Sequence, residues 1–416
     1  MQNKGIVQKR SRKLKSDKVL KKKVKSRIGK ESLYYSLYHS LHTPFRNLVN
    51  VTLQECKFNF LPKDFGTLHH LQEVTLSRNY VVNTTQSAWE WLEQAPMRCN
   101  LKSLEITYYD LFQLPLQITC LKNLTTLYMT RMRISSLPKE FGNLPLVDLD
   151  LSYNNLRKSE QFSWEWSMQA PIRHTLRYLN LSHNYIKFIP KELGTLPHLM
   201  CLNLSSNHLG KSDCNTWEWL EQTAIRIRLC DLNLSDNLLM ELPPQIGKLN
   251  TLFFLNLKCN KLKYLPQSLA NLKNLTFLDL SDNDLLYLPG SIAQSWAFIN
   301  VNGNPFNLDD DSYDNSTTNL EVPSLLDCSA EIFLKYRLNY TNGLPQELVK
   351  YLDNKRYCFF CVTPCFRYYG KRFINYLKYK KILNPKFIPV LSLHIEKAKF
   401  ECYACSSECA KRLKFD

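Results

Sequence analysis

The chain is 416 residues long, carries a formal net charge of +17 and is 44% hydrophobic. That length allows two or three domains. No run of about 20 apolar residues exists, so no membrane-spanning helix is expected, and Met1-Gln2-Asn3-Lys4-Gly5-Ile6-Val7 lacks the apolar core of a secretory signal.

The charge is concentrated at the start. Between Lys4 and Lys30 there are thirteen Lys or Arg residues against one acid, Asp17. Residues 1–45 therefore read as a basic tail, too poor in apolar groups to fold alone. Lys9-Arg10-Ser11-Arg12-Lys13 and Lys21-Lys22-Lys23-Val24-Lys25-Ser26-Arg27 have the form of nuclear import signals. Phosphate binding and a solubilising role are the alternatives.

A repeat then takes over. The pattern Leu-x-x-Leu-x-Leu-x-x-Asn-x-Leu is clear at Leu199, Leu202, Leu204, Asn207 and Leu209, and again from Leu252 and Leu275. Looser copies start at Leu48, Leu71, Leu101, Leu124, Leu146, Leu176, Leu229 and Trp296, which gives eleven units over 46–306. One unit cannot bury its apolar face alone, whereas a stack buries a continuous core. The leucines of a short strand point inward, and the Asn amide serves backbone groups of neighbouring turns that burial would otherwise orphan. Tyr109 and Met132 stand where that Asn should be, so the third and fourth units are expected to be less regular. Leu-Pro pairs at 61–62, 137–138, 242–243, 265–266 and 288–289 mark the return arcs, where Pro removes no needed donor. This is an α/β solenoid, a leucine-rich repeat horseshoe.

Three units are longer and carry Trp89-Glu90-Trp91, Trp164-Glu165-Trp166 and Trp217-Glu218-Trp219. These read as amphipathic helices on the convex side, with Trp89, Leu92 and Ala95 sharing a face. Packing between inserts is expected over a second docking surface. The concave side is lined by outward strand positions such as Tyr128, Tyr178, Phe254 and Phe277. Just after the strands come Arg78, Tyr108, Arg131, Tyr153 and His183, then Ser206 and Asp236. Tyr and Arg often carry binding energy, so a protein lying across Arg78, Tyr108, Tyr128, Arg131, Tyr153 and Tyr178 is one reading, and a merely solvated face the other.

Residues 307–321, with Asp309, Asp310, Asp311 and Asp314, read as an acidic linker. In 322–354 a helix start at Pro323-Ser324 leads a stripe of Leu325, Ser329 and Phe333, and after Asn342-Gly343 a second stripe runs Leu344, Leu348, Leu352 behind Pro345. Ser-Leu-x-x-x-Ser-x-x-x-Phe resembles the box by which substrate receptors bind elongin C, and Leu-Pro-x-x-Leu-x-x-x-Leu resembles the box that selects cullin-2. The arrangement from 48 to 416 is similar to the leucine-rich repeat protein 1 family, substrate receptors of cullin-2 and elongin B/C ubiquitin ligases. The resemblance implies that Ser324, Leu325, Ser329 and Phe333 meet elongin C, and that Leu344, Pro345, Leu348 and Leu352 meet cullin-2. It implies a non-catalytic subunit, monomeric within a larger complex, whose protein substrate could be a chromatin-bound replication complex. A cap that merely seals the last repeat is the plainer reading of 322–354.

Six of the fourteen cysteines fall in 355–416. Two short loops that each give two thiolates would close a tetrahedral structural zinc site, and Cys358, Cys361, Cys405 and Cys409 are the expected ligands. Cys365 and Cys402 are the substitutes. Single cysteines elsewhere suit a reducing compartment, and with the basic runs the expected location is the nucleus. Arg367, Lys371, Arg372, Lys378, Lys380, Lys381 and Lys386 alternate with Tyr368, Tyr369, Phe373 and Tyr376. That mixture suits nucleic acid, and equally the exterior of a small basic module. The alternative to a ligase adaptor is thus a nuclear repeat scaffold whose zinc module binds nucleic acid. No Ser/His/Asp arrangement, phosphate loop or open metal site points to an enzyme.

Overall fold

The computed structural model describes residues 47–54, 61–78, 86–156, 164–210, 217–294, 298–306, 324–336, 343–366, 368, 370–376, 379 and 398–413. The basic tail and the acidic linker lie outside the described residues, as do Arg367, Tyr369, Lys378, Lys380, Lys381 and Lys386.

Each of the eleven units supplies one strand of a single parallel sheet. They are β1 (Asn50–Gln54), β2 (Glu73–Ser77), β3 (Ser103–Thr107), β4 (Thr126–Thr130), β5 (Asp148–Asp150), β6 (Tyr178–Asn180), β7 (Cys201–Asn203), β8 (Asp231–Asn233), β9 (Phe254–Asn256), β10 (Phe277–Asp279) and, after the short β11 (Leu288–Pro289), β12 (Phe298–Asn300). Leu149, Leu179, Leu202, Leu232, Leu255 and Leu278 pair in register along it. All are buried, and with the other repeat leucines they form one core.

Strand length follows a residue that the consensus leaves free. From β5 onward the position between the two inward leucines is Asp150, Asn180, Asn203, Asn233, Asn256, Asp279 or Asn300. In each, the side-chain oxygen accepts from the backbone N–H two residues on. That local bond competes with the ladder, and these strands are three residues long. Thr75, Glu105 and Tyr128 hold the same position in β2 to β4, which run five residues.

Behind the strands the consensus asparagines form a buried ladder. Asn207 donates Nδ2 to the carbonyls of Leu181 and Leu204, both at 3.0 Å, and its Oδ1 accepts from the N–H of Asn184 and Ile186. Asn154, Asn184, Asn237, Asn260 and Asn283 bridge neighbouring turns in the same way. Tyr109 and Met132 are buried in the earlier units.

The return arcs open at prolines and run into 3-10 turns, as after Pro62, Pro138, Pro243 and Pro266. Pro115, in a Leu114-Pro115 pair beyond those named above, and Pro190, which follows Ile189, do the same. Each Trp-Glu-Trp insert is a 3-10 stretch followed by a short α-helix, rather than one amphipathic helix. These helices are α1 (Ala95–Asn100), α2 (Ala170–Thr175) and α3 (Thr223–Arg228). Trp91, Trp166 and Trp219 are fully buried, so the inserts pack, as expected. Phe65 meets Trp91 and Phe141 meets Trp166 edge to face at 5.4 and 5.8 Å. Glycine in the preceding unit makes room: a Cβ on Gly66, Gly142 or Gly194 would be driven into the carbonyl oxygen of Trp91, Trp166 or Trp219.

The carboxyl-terminal region holds α4 (Leu325–Lys335), α5 (Gln346–Asp353), the pair β13 (Arg356–Tyr357) and β14 (Pro364–Cys365), the strands β15 (Gly370–Asn375) and β16 (Lys399–Ala404), and α6 (Ser407–Leu413). It is joined to the solenoid. β16 pairs with β11 in parallel and with β15 in antiparallel. Phe400, Tyr379 and Ile374 belong to the repeat core, and Tyr379 stacks on Phe400 at 3.7 Å. Lys248 meets the buried carboxylate of Asp353 at 2.5 Å, Asn271 donates to the Tyr357 hydroxyl at 2.8 Å, and Gln267 donates to Glu401 at 3.2 Å. No helix among the described residues is long and apolar enough to cross a membrane.

Replacing Gly142 by Ala should lower unfolding stability by about 1–3 kcal/mol through overpacking. Gly343→Ala, where a Cβ meets nothing within 4 Å, should leave the urea midpoint within error of the parent. Equal midpoints for the two variants would refute the packing role of the glycine.

Candidate functional site

The residues after β2 to β6 share one backbone state. Arg78, Tyr108, Arg131, Tyr153 and His183 have φ of 51°, 61°, 55°, 57° and 56°, a left-handed conformation that side chains with a Cβ adopt reluctantly. Repetition of that turn aims all five side chains the same way, and they stack. Arg78 and Arg131 each lie 5.1 Å from the Tyr108 ring centre, Arg131 lies 4.1 Å from that of Tyr153, and Tyr153 and His183 are parallel at 3.9 Å. Burial, reinforced by Arg131 and opposed by Asp236, lowers the affinity of His183 for a proton.

Beside this row the sheet surface is acidic. Tyr128 is half-buried and donates to Asp148 at 2.7 Å; burial first, then that bond, raises its pKa. Tyr178 is half-buried in register with Asp148 and Cys201. Glu73, Glu105, Asp148, Asp150 and Asp231 occupy outward strand positions. Burial also raises the Asp231 pKa. These strand acids escaped the sequence reading, which within the strands weighed aromatic positions only; their places beside the central apolar residue of each strand were the available signal. Toward the other end Phe254, Phe277 and Phe298 stack at 4.8 and 5.7 Å.

Helix α4 begins at a capping box: Ser324 Oγ accepts from the Asp327 N–H at 3.0 Å, and Asp327 accepts from the Ser324 N–H at 3.2 Å. The Ser324 side chain thus starts the helix instead of waiting for a partner. Leu325 is 88% exposed. Ser329 is exposed and donates back to the Leu325 carbonyl at 2.7 Å, Phe333 is half-buried, and Ala330 faces inward. Leu344 and Leu348 are half-buried and Pro345 exposed. Leu352 departs from the expected outward stripe, because it is buried with Val349 and Asp353. Leu344 and Pro345 precede α5, so the helical stripe does not begin until Leu348, and Leu352 lies on the face of the helix that packs inward. Tyr351 binds Asp327 and stacks on Phe366 at 4.8 Å, tying α4 to α5 and β14.

Cys358, Cys361, Cys405 and Cys409 come together with all four Sγ atoms within 4.8 Å of one another. The turn after β13 presents the first two; the end of β16 and helix α6 present the others. Cys361 Sγ lies 3.3 Å from Cys405, which lies 3.9 Å from Cys409. A tetrahedron with metal–sulfur bonds of ~2.3 Å has edges of ~3.8 Å, so the cluster fits a four-thiolate ion such as zinc. Burial raises the Cys361 pKa, but hydrogen bonds from Thr363 and the neighbouring thiols outweigh it and leave the value at about 7. Cys365 and Cys402 are buried outside the cluster. In the basic–aromatic run, Lys371 is matched by Glu401 at 2.7 Å.

Comparison with known proteins points to the repeats. The leucine rich repeat profiles match residues 227–285 and 175–196. The chain is 28% identical over 165 residues to the leucine-rich repeat serine/threonine-protein kinase 1 of Mus musculus, covering 39% of this chain and 8% of the kinase. It is 31% identical over 150 residues to the oligodendrocyte-myelin glycoprotein of Homo sapiens, covering 35% and 29%. The chain thus spans less than a third of the length of either relative. A crystal structure of an internalin from Listeria monocytogenes aligns over 66% of this chain and 89% of its own, at 15% identity and a TM-score of 0.44. Repeat pattern, parallel sheet and profile matches agree: the chain is a leucine-rich repeat protein.

Proposed function

We propose that this protein is a non-catalytic adaptor that holds a protein on the concave face of its repeats and presents it to a ubiquitin ligase. In this reading α4 docks on elongin C of the elongin B/C pair, and the start of α5 contacts cullin-2. The observation that carries it is the exposure of Leu325, 88% on the surface of a helix that its own capping box fixes. A large apolar side chain so placed suits a partner's pocket. Leu326 and Ile332 are also exposed and extend the apolar surface. Leu344, Pro345 and Leu348 supply the cullin contact, and the buried Leu352 serves the fold. We place the protein in the nucleus, where a chromatin-bound replication complex is the substrate class that the resemblance implies.

The thiolate cluster in this proposal holds structural zinc. Metal binding in so small a module contributes folding free energy directly. Cys405 and Cys409 follow β16, which carries Phe400 into the repeat core, so the ion also secures the end of the solenoid.

The intact chain should co-purify with elongin B/C and cullin-2. Leu325→Ala should weaken elongin capture about tenfold or more, and Pro345→Ala should reduce cullin-2 while elongin stays. An intact chain that retains neither partner would end the ligase reading; cullin-5 in place of cullin-2 would show only that the second box was misassigned.

Metal analysis should give one zinc per chain, lost in Cys409→Ser and kept in Cys365→Ala. Chelation should lower the melting temperature of the repeats as well as the module. A full equivalent of zinc in Cys409→Ser would exclude this quartet.

A further inference from the structure

We infer that the rim of the solenoid where the chain enters its strands binds the phosphate backbone of duplex nucleic acid, without regard to base sequence. The strands β1 to β10 are parallel and follow one another in the sheet, so the turns that lead into them lie along one rim. Nine such turns precede β2 to β10: residues 67–72, 94–102, 119–125, 142–147, 170–177, 194–200, 223–230, 247–253 and 270–276. Together they hold nine Lys or Arg and no Asp or Glu. Lys248 is taken up by Asp353. Arg98, Lys102, Lys122, Arg177, Arg228 and Lys273 are exposed, and among the described residues none of these six lies within ion-pair distance of a carboxylate. The opposite rim is mixed in sign, and its charges pair: Arg133 meets Asp110 and Lys258 meets Asp282.

Backbone bonds hold these turns side by side. The Lys122 N–H donates to the Arg98 carbonyl at 3.2 Å, and the Met200 N–H to the Arg177 carbonyl at 2.9 Å. Like charges are thereby fixed along a line instead of being dispersed. From β3 to β10 there are seven strand intervals, ~34 Å at the usual strand spacing. Cations aligned on one side of a rigid body repel one another and draw in a polyanion.

The groups around the cations select the class of polyanion. Asn100, Asn123, Thr125, Asn274 and Thr276 turn their side chains onto backbone carbonyls of the preceding turn, so what the rim offers a ligand is charge. Phosphate contacts position a nucleic acid without reading its bases. The exposed large apolar side chains in these turns are Ile227 and Phe253, which do not make the apolar centre of a protein interface. Phe253 is also the only Phe, Tyr or Trp in the nine turns. A single strand would therefore find no row of rings on which to stack its bases, whereas a duplex needs only cations along its backbone. Glu73, Asp148 and Asp231 open strands on the concave side and keep a polyanion on the rim. The acidic run Asp309 to Asp314 of the chain itself spans ~20 Å when extended, which is shorter than the strip.

Fluorescence anisotropy on the full chain tests this with three probes: a labelled DNA duplex, oligo-dT and a poly-Glu peptide. The basic segment from Lys4 to Lys30 also attracts polyanions, so the readout is the difference between variants. The duplex should bind. Arg98→Gln with Lys122→Gln should weaken it about tenfold and make the salt dependence of log affinity shallower by about two. Arg133→Gln with Lys261→Gln, exposed on the opposite rim, should do neither. Two exposed thiols locate the contact: Cys99 beside Arg98, and Cys328 on α4. Saturating duplex should slow maleimide labelling of Cys99 severalfold and leave Cys328 unchanged. Equal effects of the two double variants, or an unprotected Cys99, would assign the binding to the basic segment and overturn the inference. It also falls if the duplex does not bind, or if oligo-dT or poly-Glu binds more tightly through Arg98 and Lys122. Those last two outcomes would make the rim a site for single strands or for acidic protein.

Discussion

Stacking of the repeats depends on one constraint: every backbone polar group drawn into the core must find a partner there. A leucine ladder supplies apolar area but no hydrogen bonds. The buried asparagines supply them, and each does so for two turns at once. Asn237, for example, gives its Nδ2 to the carbonyls of Leu204 and Leu234 and takes the Leu209 N–H on its Oδ1. Leaving such buried groups unmet costs ~1–3 kcal/mol each, so the amide ladder fixes the spacing of successive turns as firmly as the leucines fix their direction.

The same constraint explains where the protein carries its distinctive surface. In the later units two Asx positions are committed to the backbone: the buried asparagine and the outward Asp or Asn that closes a local turn after each strand. The early units satisfy their backbone with longer strands. The outward position is thereby released from structural duty and becomes Glu105 or Tyr128. The position after the strand then carries Arg78, Tyr108 and Arg131 in a strained but repeated geometry. Strain of this kind persists where surrounding structure over-determines it, and here the support is the repeated bond from each of these N–H groups to a carbonyl of the next turn, as from Arg78 to Thr107, which holds Ser206 and Asp236 in the same state.

Much of this was legible in the sequence. Eleven unit starts became eleven strands, and the aromatic inserts became convex packing, because both follow from periodicity that any stack must obey. The cysteine cluster was legible from its spacing, but the sequence left Cys365 and Cys402 open as substitutes, and only the fold brings Cys358, Cys361, Cys405 and Cys409 together. Less legible was the attachment of the carboxyl-terminal region. β16 reaches β11 across more than a hundred residues of chain, and nothing local in Phe400 or Glu401 announces it. The inward turn of Leu352 was missed for a simpler reason: the stripe was read as starting at Leu344, which lies before the helix, so it did not describe one helical face.

Fixed geometry is what joins these parts into a functional argument. An adaptor works only if the distance between what it grips and what it docks on is set by packing. Here α4 is tied to α5 and β14 through Asp327, Tyr351 and Phe366, and α5 is tied to the repeats through the buried Lys248–Asp353 pair. Breaking a buried ion pair from one side is strongly destabilising, so this contact resists swinging of the helices relative to the solenoid. A single hydrophobic core runs from β2 to β16, and the helix with the exposed leucine is joined to it through the Asp327, Tyr351 and Lys248–Asp353 contacts. A partner held on the stack would sit at a set position relative to whatever binds Leu325, and that positional constraint is the physical content of the adaptor proposal.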